Sequence, residues 1–235
     1  MLRPRIIPCL LVHKGGLVKT VGFKAPKYVG DPINAVKIFN EKEVDELTVL
    51  DIDATANKAE PDYRMIANLA AECRMPLCYG GGIKTAEQAK QIIGLGVEKV
   101  AISSAAVDNP DLISRIADEI GRQSVVVVLD VKKRMLGGDY DVFTQNAQRN
   151  TKRSVSDLAL LAEKHGAGEL VINSIDRDGQ MKGYDLALAQ KVRQLVNIPI
   201  TILGGAGALT DLESLIRTCG VIGASAGSLF VFKGV

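Results

Sequence analysis

The sequence predicts a single α/β domain, a (β/α)8 TIM barrel with half-barrel duplication, and three observations carry that expectation. Eight short, β-branched apolar runs alternate with amphipathic stretches of helix length along 235 residues, the usual size of one such barrel. Glycine-rich turns close several of the runs. The two halves of the chain also echo each other at a spacing of roughly 120 residues, longer than a solenoid period.

The strand-like runs are RIIPCLLV (5–12), DELTVLDI (45–52), MPLCYG (75–80), EKVAIS (98–103), SVVVVLDV (124–131), GELVINSI (168–175), IPITILGG (198–205) and GVIGASAG (220–227). Near-continuous hydrophobicity is what a strand covered on both faces requires. Between them PINAVKIFNEKEV, AEQAKQIIGLG and DLALLAEKHGAG read as amphipathic helices, and Asn109-Pro110 suits an N-cap and first helical position. The connection 14–32 is long and carries Lys14, Lys19, Lys24 and Lys27. It reads as a lid over an anionic ligand, or more plainly as a solvated basic loop. MLGGDYDVFTQN predicts a small hairpin turning at Gly137-Gly138. After Gly227 only SLFVFKGV remains, too little for a complete last outer helix.

The echo pairs YGGGIKT (79–85) with LGGAGAL (203–209), VAISSAAV (100–107) with IGASAGSL (222–229), and LDID (50–53) with NSID (173–176). Four strands alone would leave open edges. One domain over residues 1–235 is therefore expected, not two.

Composition narrows the function. Net charge is +2, too balanced for nucleic acid or a membrane surface, and no apolar run approaches a membrane span. The start MLRPRIIPCLLV lacks a small-residue cleavage site, so it reads as mature sequence of a cytoplasmic protein. Cys9, Cys73, Cys78 and Cys219 have no metal spacing and read as buried thiols. No metal and no cofactor is implied.

A ligand in such a barrel sits at the C-terminal ends of the strands. Gly80-Gly81-Gly82, Ser103-Ser104, Gly204-Gly205 and Gly227-Ser228 fall after the third, fourth, seventh and eighth runs. Glycine lets backbone N–H groups approach an anion; any one of these turns alone is equally explained as the closing of a tight bend. Together they predict two phosphate sites on opposite sides of the mouth and a long, doubly phosphorylated ligand. Asp51 and Asp53, Asp130, and Asp176 and Asp178 stand at strand ends. Asp130 ends the apolar run VVVVLD, where a carboxylate is costly unless paired or used. Asp178-Gly179 also reads as a turn. His13 ends the first run facing the mouth, and His165 reads as a solvated helix cap.

Over Arg5 to about Phe232, R-I-I-P-C-L, D-E-L-x-x-L-D-I, G-G-G-I, A-A-V-x-N-P, S-V-V-V-V-L-D, V-F-T, G-A-G-E-L, S-I-D-R-D-G-x-x-x-G-Y-D and G-G-A-G resemble the cyclase (HisF-type) subunit of imidazole glycerol phosphate synthase. The resemblance implies a ribulose-phosphate-binding barrel with a HisH-like glutaminase docked on its N-terminal face. Ammonia would cross the barrel to a phosphoribulosyl-formimino substrate at the top. The ammonia gate is carried by Arg5, Glu46, Lys99 and Glu169. Lys19, Asp51, Gly82, Gly205 and Ser228 are retained, as is Asp176, expected among the catalytic groups, and Asp130 matches one of two catalytic aspartates. Leu11 occupies the place of the other. Ser103, Asn173 and Leu203 replace the family's asparagine, threonine and serine. P-C-L-L, K-G-G-L-V-K-T, G-D-P-I-N-A-V-K-I-F-N-E-K-E-V-D-E-L, L-D-I-D-A and S-L-F-V-F-K-G are similar to a paralogous branch, the glycosyl amidation-associated barrels of surface-polysaccharide (O-antigen) clusters. That branch implies work beside an ATP-dependent sugar amidotransferase that turns an acetamido into an acetamidino group. A true histidine-pathway cyclase and a stand-alone phosphosugar isomerase or binding barrel are the alternatives.

Overall fold

The computed structural model describes residues 3–135 and 137–231; the expected short tail, including Phe232, lies partly outside the described residues. The first half runs through β1 (Arg5–His13), β2 (Gly16–Val21), β3 (Lys24–Gly30), α1 (Pro32–Glu41), β4 (Leu47–Asp51), α2 (Tyr63–Glu72), β5 (Leu77–Gly80), α3 (Ala86–Gly94), β6 (Lys99–Ile102), α4 (Ser104–Asp108) and α5 (Asp111–Ile120). The second half follows with β7 (Val125–Lys133), β8 (Tyr140–Thr144), β9 (Arg149–Ser154), α6 (Val155–Lys164), β10 (Glu169–Ser174), α7 (Leu186–Leu195), β11 (Ile200–Leu203), α8 (Leu209–Cys219), β12 (Gly223–Ala226) and α9 (Ser228–Val231).

Strands β1, β4, β5, β6, β7, β10, β11 and β12 are parallel neighbours in that order, and β12 pairs with β1 to close the ring. The (β/α)8 barrel is thereby established. Closure leaves β1 and β7 four strands apart in either direction, so they face each other across the barrel. Asp31, Asp62, Thr85, Ser154 and Asp185 cap helices with their side chains, each typically contributing about 1 kcal/mol. Asn109 makes no such cap; Pro110 precedes α5 in helical conformation, without a side-chain bond.

Residues 14–32 are not an irregular loop. Gly15 and Gly22 adopt φ of +74° and +59°, turning the chain so that β2 pairs antiparallel with β1 and β3 with β2. The expected turn at Gly137-Gly138 does join two antiparallel strands, with Lys133 opposite Tyr140, and β9 extends this ribbon beyond what the sequence pattern foretold.

Two apolar regions hold the fold. The larger, between strands and helices, includes Val36, Leu47, Ile66, Leu77, Ile92, Ile116, Leu170 and Leu215. The smaller fills the barrel interior with Cys9, Cys78, Ala101, Val126, Val128, Val171 and Leu203, joined by Leu11 and Leu50. Cys73 and Cys219, expected buried, are only partly so, because each sits at the end of an outer helix. Among the described residues no helix is long and apolar enough to cross a membrane.

Candidate functional site

The strand ends open into a cavity of about 520 Å³, within the range of small-molecule sites. Its walls include Leu11, His13, Lys19, Asp51, Gly81, Gly82, Ser103, Ser104, Asp130, Asn173, Asp178, Gly179, Gly204, Gly205, Gly227 and Ser228. The glycine turns follow β5 and β11, and the serine turns follow β6 and β12, so each pair faces the other across the mouth. A side chain at Gly81 (φ +129°) would put Cβ 2.6 Å from the Asp51 carbonyl oxygen; at Gly204 (φ +96°) it would lie 2.8 Å from that of Ser174. Backbone conformation and close approach both require glycine there.

Asp130 lies at the floor of this cavity, and its carboxyl is pushed up to about 7, chiefly by burial and further by the Asp178 charge, against an opposing hydrogen bond from Asn173. The Asn173 Nδ2 donates to Asp130 Oδ1 at 2.9 Å across adjacent strands. A carboxyl poised near neutrality can both give and take a proton. Leu11 stands on the opposite strand, packed with Leu50 against the apolar interior. The buried Asn173 Oδ1 has no partner, a deficit that generally costs about 1–3 kcal/mol.

Asp178 is committed elsewhere as well. Thr20 Oγ1 and the Phe23 amide donate to its carboxylate at 2.8 and 3.0 Å, while Gly22 N donates to its carbonyl. Burial nonetheless raises its carboxyl above the usual range. The β2–β3 hairpin is thus fastened over the mouth. Gly179 lies beneath it, where a Cβ would fall 2.2 Å from the Thr20 carbonyl oxygen.

Asp176, expected to be catalytic, is exposed and does not line the cavity. Its carboxylate accepts the Lys133 amide at 2.9 Å. Its counterpart Asp53 accepts the Lys14 amide at 2.6 Å, so both carboxylates clasp the chain where a barrel strand becomes a ribbon. Sequence reasoning missed this clasp, and also the contact of His13 Nδ1 with Asp53 Oδ1 at 2.7 Å. It missed Asn146 too, whose Nδ2 reaches the Ile52 carbonyl across the mouth at 2.8 Å. The V-F-T-Q-N run carries no local signal for that reach. Ser104 Oγ accepts the neighbouring Gln145 amide. Ser114 donates to the His165 carbonyl, so this helix-end histidine is held as well as capping.

At the other end of the barrel four charges form a closed ring. Arg5 bonds Glu46 and Glu169 at 2.6 Å each, and Lys99 bonds the same carboxylates at 2.8 and 2.9 Å. Thr201, unnoticed in the sequence, donates its hydroxyl to Glu169 at 2.6 Å. Burial opposes ionisation of Glu169, but the Arg5 hydrogen bonds and the charges of Lys99 and Arg5 outweigh it and hold the carboxyl at about 2. No group of three or more His, Cys, Asp or Glu among the described residues is arranged to hold a metal ion.

Residues 5–235 match the family described as histidine biosynthesis protein. A Leptospira interrogans protein named provisionally as imidazole glycerol phosphate synthase subunit HisF is 57% identical over 235 residues, spanning 100% of this chain and 92% of that protein. A Pseudomonas aeruginosa protein with a name of the same kind is 56% identical, spanning 100% and 93%. The imidazole glycerol phosphate synthase subunit HisF of Lactococcus lactis subsp. lactis is 38% identical over 230 residues, spanning 98% and 89%. With its closed barrel, paired glycine turns and this full-length similarity, the chain belongs to the histidine biosynthesis protein family and is of the HisF type.

Proposed function

We propose that this chain is the ammonia-receiving barrel of a glutamine-dependent amidotransferase system that serves sugar amidation. A HisH-like glutaminase docks on the N-terminal face, below the ring of Arg5, Glu46, Lys99 and Glu169. Ammonia passes the ring and the apolar interior and leaves at the mouth. An ATP-dependent sugar amidotransferase then uses it to replace the oxygen of an acetamido group: ATP activates that oxygen, ammonia adds at the carbon, and the oxygen leaves on the ATP-derived phosphate, giving an acetamidino group. The observation that carries this reading is the complete charge ring beneath a mouth where Leu11, an apolar residue, faces Asp130. Leucine moves no proton, and losing a general acid or base costs about 10²–10⁴ in rate.

Within the mouth, the backbone turns at Gly81–Gly82 and Gly204–Gly205 hold phosphate groups of a ligand, helped by Ser104, Ser228 and Lys19. Asp51 orders the wall between them, since its carboxylate accepts the amides of Asp53 and Ala54. The β2–β3 hairpin covers the ligand.

The second reading is a histidine-pathway cyclase, making imidazole glycerol phosphate and an aminoimidazole carboxamide ribotide. Asp130, raised to about 7, favours it as the single acid/base group. Cyclase activity with the phosphoribulosyl-formimino substrate and free ammonium separates the two, comparing the native chain with Leu11→Asp. The amidation reading expects negligible native activity and co-purification with a glutaminase. Full native activity would overturn it in favour of the cyclase.

A further inference from the structure

Along β10 the inward column reads Glu169, Val171, Asn173. One side chain belongs to the charge ring, the next to the apolar interior, the third to the cavity wall. Four residue steps along the strand separate ring from amide, about 13 Å. Asn173 is 7% exposed, its Nδ2 is spent on Asp130, and its Oδ1 has no partner. A Cβ at residue 204 would lie 3.4 Å from that oxygen, so the acceptor faces the Gly204 turn. Buried carbonyl oxygens are nearly always hydrogen-bonded, and one that is not calls for an explanation.

We propose that Asn173 Oδ1 is the docking acceptor for an N–H of ammonia, or of ammonium, where the barrel interior opens into the cavity. This rests on the ammonia-receiving reading above. Carboxamide oxygen is a pure acceptor and ammonia offers N–H donors, so the unfilled hydrogen bond matches the molecule the interior would deliver. The oxygen is closed to a water-sized molecule from every side, so a ligand reaches it only once the side chain turns. The terminal torsion of asparagine is broad, and a small swing opens the oxygen to an arriving molecule. The neighbouring Asp130, when ionised, favours a cation there and can take a proton from ammonium, so that ammonia leaves the mouth unprotonated. On the facing strands Leu11 and Leu50 offer no competing acceptor, so the incoming nitrogen is held to one side of the mouth.

The test uses the full chain labelled for nuclear magnetic resonance, reading the backbone amides of Asp130 and Gly204. Ammonium chloride is titrated against potassium chloride, whose cation has the same charge and no N–H, and against methylammonium chloride. The expected result is a saturable shift with ammonium that potassium does not reproduce. In Asn173→Thr, checked for an unchanged melting temperature, the midpoint moves to about tenfold higher ammonium. Asn173→Leu, close in shape, keeps the interpretation open to check if the threonine variant is unstable, and should weaken binding at least as much. An equal response to potassium, an unchanged midpoint in both variants, or no saturation would overturn the assignment. Methylammonium binding more tightly than ammonium would instead point to an amine of the mouth ligand, and would also overturn it. Ammonium binding by a chain that assembles with no glutaminase would defeat the functional reading and leave this acceptor standing.

Discussion

In the first half of the barrel, β1 and β4 set Leu11 beside Leu50; in the second, β7 and β10 set Asp130 beside Asn173. The echo of LDID with NSID makes these two pairs equivalent. Around them the halves remain alike. Each first strand runs on into an antiparallel ribbon, and each ribbon is clasped by an aspartate, Asp53 on Lys14 and Asp176 on Lys133. Ile52 N bonds the Val12 carbonyl as Ile175 N bonds that of Val131. Scaffold symmetry survives where it supports geometry, and it is broken where chemistry would occur. At this pair of positions one half is apolar; the other holds an acid near neutrality and an unfilled acceptor.

The strongest way to break this contrast acts at Asp130. Its folded pKa of about 7 lies above the ordinary 3.8, so the folded chain binds the proton more tightly than the unfolded one. Stability therefore falls as pH rises from about 4, and the deficit is complete above about 7. Asp130→Asn should relieve up to about 4 kcal/mol at pH 8 and almost nothing at pH 4, read from urea unfolding at both values. A difference that does not vary with pH would mean the carboxyl is not held near neutrality.

The ring has the opposite sign. Glu169 is depressed from 4.5 to about 2, so its contribution is full above about 4.5 and lost as pH falls toward 2. Acid unfolding should show about 3 kcal/mol disappearing in that window, and Glu169→Gln should flatten it. Next in size are the glycine turns. Gly81→Ala and Gly204→Ala should each cost about 2 kcal/mol, through φ strain and the clash with a carbonyl. Near-equal losses on thermal unfolding would sharpen the symmetry, and a large inequality would break it. The smallest effect belongs to Asp176→Ala, which should cost about 1 kcal/mol for one backbone partner. Binding of inorganic phosphate, followed by calorimetry, should stay unchanged. A large loss of phosphate affinity would return Asp176 to the ligand site.

Much of the site could be read from the chain, since glycine at a strand end reports a local need. Gly81 and Gly204 were legible because backbone conformation restricts residue choice within a few positions. Asp130 was legible because a carboxylate within VVVVLD has no apolar use. Asp176 looked equally telling and was not, because only the three-dimensional path of β7 brings the Lys133 amide to it. Thr201 and Asn146 gave no signal, as their partners lie 32 and 94 residues away in sequence.

By itself the sequence determined the barrel, its duplication and the level of each strand, because apolar periodicity and turn chemistry are short-range properties. It also set leucine at position 11, where the family resemblance implies a carboxylate. Only the tertiary structure decided which charges close into a ring, that residues 14–32 form a ribbon fastened by Asp178, and that Asn173 spends one end on Asp130 and leaves the other unmet. Those outcomes depend on distances between strands that meet only when the barrel closes, and no local pattern records them.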